Sequence, residues 1–473
     1  MKHFVLPTQL TDDLVKQVNT NIEDGFANNV SRLCTLVRIP GIAWESFDAA
    51  NLQASAEAVQ ALFESTGVFD SVEIVRAKKE GSEDFGSPAI LASRAAKNGK
   101  PHILLYAHHD VQPPGDAEKW LTPSFEPTLK DGRIYGRGAA DDKAGIVTHL
   151  AAIETLKNVA GEDFDLGLSL FIEGEEEAGS LSFRNFLEDN RAALAADAIV
   201  VADSGNFTTE IPALTTTLRG LAGLVFEVQT LDHALHSGMF GGAVPDAMTA
   251  MLKILASFHD EKGSVAVEGL KTYESMELPY DEAVLREESG LLDGVSTIGQ
   301  GSLLSRVWGQ PALTVIGLDA VPVALASNTL QPAINASISL RLAPGDDPIS
   351  ALEALKRHIL AHAPWGAKVT FKEVQTGKPF AADTQGWAAQ LAKQALAKAF
   401  ARESVEMGIG GSIPFIADLV EVFPGAQILV TGVEDPDSRA HSPNESVHLE
   451  SLKRAMAAEA LLLLGANDSS LQA

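Results

Sequence analysis

Cysteine is almost missing from this chain. One residue, Cys34, is all it has, so no internal disulfide framework can form and a reducing compartment is the simplest setting. Cys34 lies in the apolar-periodic stretch VSRLCTLVRI, which assigns it to a core. Basic residues are scarce too: 36 Lys and Arg stand against 63 Asp and Glu, a formal net charge of −27. That balance speaks against nucleic acid and anionic membrane surfaces as partners. No apolar run is long enough to span a bilayer. The opening MKHFVLPTQLTDDLV has one lysine and a short apolar run ended by Pro7, too little for a signal peptide. The expectation is a cytoplasmic protein. Internal repeats and low-complexity segments are also absent.

What remains is an ordinary globular composition, 45% apolar and 21% charged, spread over 473 residues. That length exceeds one typical domain. In the first part, helical spacing in DDLVKQVNTNIEDGFANNVSRLCTLVRI, in DAANLQASAEAVQALFEST and near 144–159 alternates with the strand patterns VEIVRA, AILASRA, HILLYAHH, LGLSLFIE and AIVVADS. Continuous apolar strands between helices predict an α/β sheet buried on both faces. Near residue 210 the pattern changes to longer strands, ALTTTLRGLAGLVFEVQT, LTVIGLDA, INASISLRLAP and KVTFKEV, with helices near 244–260 and 347–362. Helix–strand alternation resumes with WAAQLAKQALAKAF, AQILVTGV and a closing helix from Val447. The predicted organisation is a discontinuous catalytic domain, residues 1–210 and 381–473, interrupted by an α+β domain over 211–380.

His, Asp and Glu gather where strands end. LLYAHHDVQPP places His108 and Asp110 on one side of an extended backbone and His109 on the other, and a carboxylate beside a His ligand is a common orienting device. GRIYGRGAADDKAG, with glycines at 132, 136, 138 and 145, offers Asp141 as a ligand; Asp142, just before a helix, could serve as its N-cap or pair with Lys143. FIEGEEEAGS crowds Glu173, Glu175, Glu176 and Glu177 at the end of a buried strand. Such carboxylates oppose one another's ionisation unless a cation answers them. On an extended backbone Glu176 and Glu177 face opposite ways, one toward a metal and the other toward an attacking water, while Glu173 or Glu175 reads as solvated charge. Asp203 ends AIVVADS, where an Asx-turn is the plainer reading. His441 precedes the last helix in SRAHSPNES, where an exposed loop histidine is the plainer reading. Mixed His and carboxylate donors suit zinc, and an excess of carboxylate also suits manganese.

In order along the chain, HHDVQP, GRGAADDKAG, EGEEEAGS, VVADS, TLRG, LHSGMFGG, SISLRLAP, GGSIP and AHSPNES resemble the M20 metallopeptidase family, and within it the dipeptidases similar to carnosinase and cytosolic nonspecific dipeptidase. The resemblance implies a mixed-sheet α/β catalytic domain of the zinc-exopeptidase type with an inserted lid that also dimerises. It implies two divalent ions bridged by Asp141, with His108 and Asp203 on one and Glu177 and His441 on the other. Asp110 would orient His108, and Glu176 would be the general base for a metal-bound water attacking a dipeptide or short peptide. From the lid, His236 and Thr329 would reach the partner subunit's active site in a homodimer. Arg341 would hold the substrate's terminal carboxylate, with Gly411 and Ser412 lining that end. Arg219 of TLRG would support the lid. The chain departs from the pattern at Gly408 and Ile409, where carnosinase-like enzymes have Arg-Glu. The same scaffold and ligands also serve deacylases of N-acyl amino acids, and more remotely a non-catalytic metal-stabilised protein is conceivable on it.

Overall fold

The computed structural model describes residues 4–5, 10–411 and 414–471. It divides into two compact units, Met1–Thr216 with Ala382–Met407 and Asp418–Ala473, and Thr217–Ala381 with Gly408–Ala417. Gly411 thus falls in a segment that clusters with the second unit, and Ser412 lies outside the described residues.

The first unit is built on a mixed sheet, the α/β architecture expected from the sequence. Its strands run in the order Ala213–Leu218, Gln427–Val430, Ala198–Val201, His102–His108, Gly167–Glu173, Ala89–Arg94, Ser71–Val75. The strands from Gln427–Val430 to Gly167–Glu173 are mutually parallel, and the outer ones antiparallel. Every residue of Gly167–Glu173 is buried, because both faces are covered. On one side the helices Asp12–Val37, Lys143–Ala160, Trp387–Phe400 and Leu449–Asp468 pack on it through Leu33, Ile146, Leu150, Leu391 and Leu461. On the other, Phe171 stacks on Phe186 at 4.3 Å and meets Tyr106 edge-on at 5.5 Å. Each such buried side chain contributes about 1.5–3 kcal/mol. Cys34 is buried in this core.

The second unit carries an antiparallel sheet in the order Ala312–Leu318, Ala333–Leu342, Gly220–Gln229, Lys368–Gly377. Alternation is strict in its two central strands: Ala222, Leu224, Phe226 and Val228, with Ile334, Ala336, Ile338 and Leu340, are buried under the helices Ala247–Ala256 and Pro348–His362. Asp246 and Asp347 cap those helices through their carboxylates, satisfying amides that have no partner inside the helix. The other face is only half-buried. Among the described residues no helix is long and apolar enough to cross a membrane.

Candidate metal centre

Parallel strands deliver their carboxyl ends to one edge, where sites in such sheets gather. Register fixes the alignment: His108 pairs with Glu173 and Tyr106 with Val201, so the next residues of the third strand, ending in Asp203, come up beside His108. Asp141 and His441 are brought in by loops. Its two carboxylate oxygens divide between the imidazoles: Oδ1 lies 3.0 Å from His108 Nε2, and Oδ2 lies 3.0 Å from His441 Nε2. Asp203 Oδ1 stands 3.8 Å from His108 Nε2, and Glu177 Oε2 stands 3.3 Å from His441 Nε2. Two triads result, His108–Asp141–Asp203 and Asp141–Glu177–His441, each with donor atoms within 4.8 Å of one another. Asp141 belongs to both.

The electrostatics describe a pocket short of positive charge. Burial, then Asp203, pushes Glu176 well above the usual carboxylate range. Burial, then Asp141, pushes Glu177 up to about 7. Burial also resists ionisation of Asp141, but His108 and His441 outweigh it and hold its carboxyl low. Asp141 in turn raises His441 to about 9, helped by Glu177. His108 is raised despite complete burial by Asp110, Asp141 and Asp203. Two imidazoles answer five acids, Asp110, Asp141, Glu176, Glu177 and Asp203, and the mixed nitrogen and oxygen donors fit a pair of divalent cations.

Asp110 does more than face His108. His108 Nδ1 lies 3.0 Å from the Asp110 carbonyl and 3.5 Å from its carboxylate. The carboxylate accepts from the amides of Glu176 and Glu177, each at 3.1 Å. Residues 176–179 form a turn rather than the extended strand expected, closed by Gly179 N donating to Glu176 O. The turn, not strand alternation, therefore separates the two glutamates. Glu173 and Glu175, one or the other of which reads as solvated charge in the sequence, are both buried. Glu173 accepts from the Tyr106 hydroxyl at 2.6 Å, and Glu175 accepts from Ser87 N and from the amide and hydroxyl of Ser182. Asp142 occupies the N-cap of its helix but makes no side-chain capping bond and does not pair with Lys143: its carboxylate accepts from His108 N, while Lys143 Nζ donates to the Leu36 and Ile39 carbonyls. The Asp141–Asp142 peptide is cis.

Several residues at this edge escaped the sequence reading. Gln112 Nε2 donates to Glu177 Oε2 at 2.7 Å, and Trp44 Nε1 donates to the Glu177 carbonyl at 3.2 Å. Glu445 accepts from the amides of Ala140 and Asp141 and pairs with Arg137 at 2.6 Å. Glu434 faces Asp141 and Asp203; burial, then those charges, raises its carboxyl strongly. Its position straight after the strand in AQILVTGVED was the available signal.

The remaining candidates sit on the second unit. His236 and Thr329 are registered partners in a two-stranded ribbon, and His236 is exposed. Arg341 lies on the half-buried face of the sheet. Gly411 is half-buried.

The model of peptidase family M20/M25/M40 matches residues 104–465. The chain belongs to this family. It is an M20-type metallopeptidase. It is similar to a cysteinylglycine-S-conjugate dipeptidase of Corynebacterium striatum, 39% identical over 380 residues that cover 79% of this chain and 83% of that protein. It is also similar to the human Beta-Ala-His dipeptidase, 27% identical over 388 residues, 76% of this chain and 74% of that one. In fold it resembles the crystal structure of human carnosine dipeptidase 1, with TM-score 0.75, 22% identity and coverage of 98% and 100%. The di-peptidase Dug1p of Saccharomyces cerevisiae gives TM-score 0.76, 22% identity and coverage of 97% and 100%.

Proposed function

We propose that this M20 peptidase hydrolyses the peptide bond of dipeptides or short peptides, with zinc as the first choice for its two ions and manganese the second. The observation that carries the reading is Asp141, whose two oxygens reach His108 and His441 at 3.0 Å each, the arrangement a carboxylate shared by two ions requires. His108 and Asp203 would complete one ion's donors, and Glu177 and His441 the other's. When bound, such ions would polarise the scissile carbonyl and make water acidic enough to react near neutral pH. Glu176 stands beside this donor set without belonging to either triad. As general base it takes the water's proton and passes it to the leaving amine. Asp110 holds Glu176 and Glu177 in register through their amides. Arg341 and Gly411, with Ser412, receive the terminal carboxylate. His236, with Thr329 beside it, donates to the oxyanion in the partner subunit's site, which makes the enzyme a homodimer. The names of the two relatives above, both dipeptidases, support peptides over N-acyl amino acids. The one cysteine, free and buried, supports a cytoplasmic location.

The test is a panel of dipeptides and N-acetyl amino acids, run on protein stripped and reloaded separately with zinc or manganese. Dipeptides are expected to turn over, with Glu176→Gln retaining metal and losing activity by several orders of magnitude. Turnover of the N-acyl compounds alone would replace the reading with a deacylase; no hydrolysis with either ion would remove it.

A further inference from the structure

Arg219 ends up where the sequence offered no contact for it. It directly precedes the strand Gly220–Gln229, which runs antiparallel to Ala333–Leu342 with Gly220 opposite Leu342 and Leu221 opposite Arg341. In both strands the odd-numbered residues point to the half-buried face and the even-numbered ones to the core. Continued one step past Gly220, that alternation puts Arg219 on the side of Arg341, diagonal to it across the strand pair. Burial, and then the charge of Arg341, lowers Arg219 to about 10.

The hydrogen-bond partners of Arg219 are uncharged. Nε donates to the Gly410 carbonyl at 2.9 Å, and Nη1 lies 3.3 Å from the Gln310 carbonyl. The remaining nitrogen, Nη2, lies only 2.7 Å from where a Cβ on Gly410 would be, so the guanidinium rests against the glycine turn. Among the described residues, no carboxylate pairs with Arg219. Nearby, Gly408 has no room for a side chain: a Cβ there would come within 2.6 Å of Thr217 Oγ1 and 2.7 Å of Trp308 Cβ. Arg219 shares a face with Arg341 and has carbonyl dipoles but, among the described residues, no counter-ion of its own, so an anion arriving beside it is favoured. A planar fork is suited to a carboxylate.

We propose that Arg219 shares the substrate's terminal carboxylate with Arg341, making it a specificity-determining residue and not only a brace for the Gly410 turn. This rests on the peptidase reading above, in which the substrate ends in a free carboxylate.

The experiment compares each acid with its amide, glycyl-leucine with glycyl-leucinamide and N-acetyl-leucine with its amide, in the metal-loaded wild type, Arg219→Gln, Arg219→Lys and Arg341→Gln. The ratio of kcat/KM for acid over amide is expected to fall at least about tenfold in Arg219→Gln, and to recover partly in Arg219→Lys. If acid and amide decline together and the ratio holds, Arg219 only supports the turn and the proposal is wrong. Calorimetric binding of the same acids and amides keeps the two readings apart. A wild type that hydrolyses nothing yet binds acid over amide through Arg219 overturns the peptidase reading alone. A wild type that binds acid and amide equally overturns the Arg219 proposal.

Discussion

Glu173 shows how far one side chain can depart from the habits of its residue type. Glutamate is seldom buried, yet Glu173 is 2% exposed, because it closes a parallel strand covered on both faces. Burial, then the charges of Asp110 and Glu175, raises its carboxyl to about 8 although Tyr106 donates to it. The folded pKa lies above the unfolded one, so the stability Glu173 contributes is complete below about 4.5 and is lost as pH rises through about 8. Glu173→Gln keeps an acceptor for Tyr106 and does not titrate. Its melting temperature is expected to exceed the wild type's at pH 9 by at least about 2 °C, with the two converging near pH 5. Parallel curves across that range would mean that the buried acid is not the titrating group. The sequence could not show this burial. The run of glutamates announces a site, but which of them faces water depends on the turn at 176–179 and on Ser87 and Ser182, which come from other segments.

At the scale of elements, what was legible was periodic. Apolar spacing marked the helix Lys143–Ala160 and the strands His102–His108 and Gly167–Glu173, and strand ends then pointed to His108 and Asp203. The region between Ala247–Ala256 and Ala312–Leu318, including the helix Glu282–Ser289 with no buried residue, has no such rhythm and was not read. Nor were the fastenings between loops, because their partners lie far apart in sequence. Glu445 is the clearest case. From one loop it receives the amides of Ala140 and Asp141 from another, and its charge is balanced by the buried Arg137. Glu445→Ala leaves that guanidinium unpaired and is expected to cost about 3–5 kcal/mol in urea unfolding. It also frees the Asp141 backbone, so metal affinity should weaken about 10–100-fold. The double variant Arg137→Met with Glu445→Leu removes both charges; it should regain much of the stability while metal affinity stays low. Recovery of both together would show that Glu445 merely balances charge.

The molecule as a whole carries two separate cores, one around Leu105, Ile146 and Leu461 and the other around Phe226, Ile338 and Leu355. Every member of the two metal triads belongs to the first unit. Ions that bind only the folded form stabilise it by about 4 kcal/mol each when present at a thousand times their dissociation constant. Chelation should therefore lower one calorimetric transition, that of the first unit, and leave the other in place. The pH dependence has a definite sign. Without ions, Glu177 is raised to about 7 and His441 to about 9. Both contribute stability that is present in acid and lost as pH rises through those values. Ions bind the deprotonated groups, so their affinity grows over the same range. The gap in melting temperature between loaded and stripped protein should accordingly widen from pH 6 to pH 8.5. A gap that narrows would place the ions on other groups, and two transitions falling together would show that the units unfold as one.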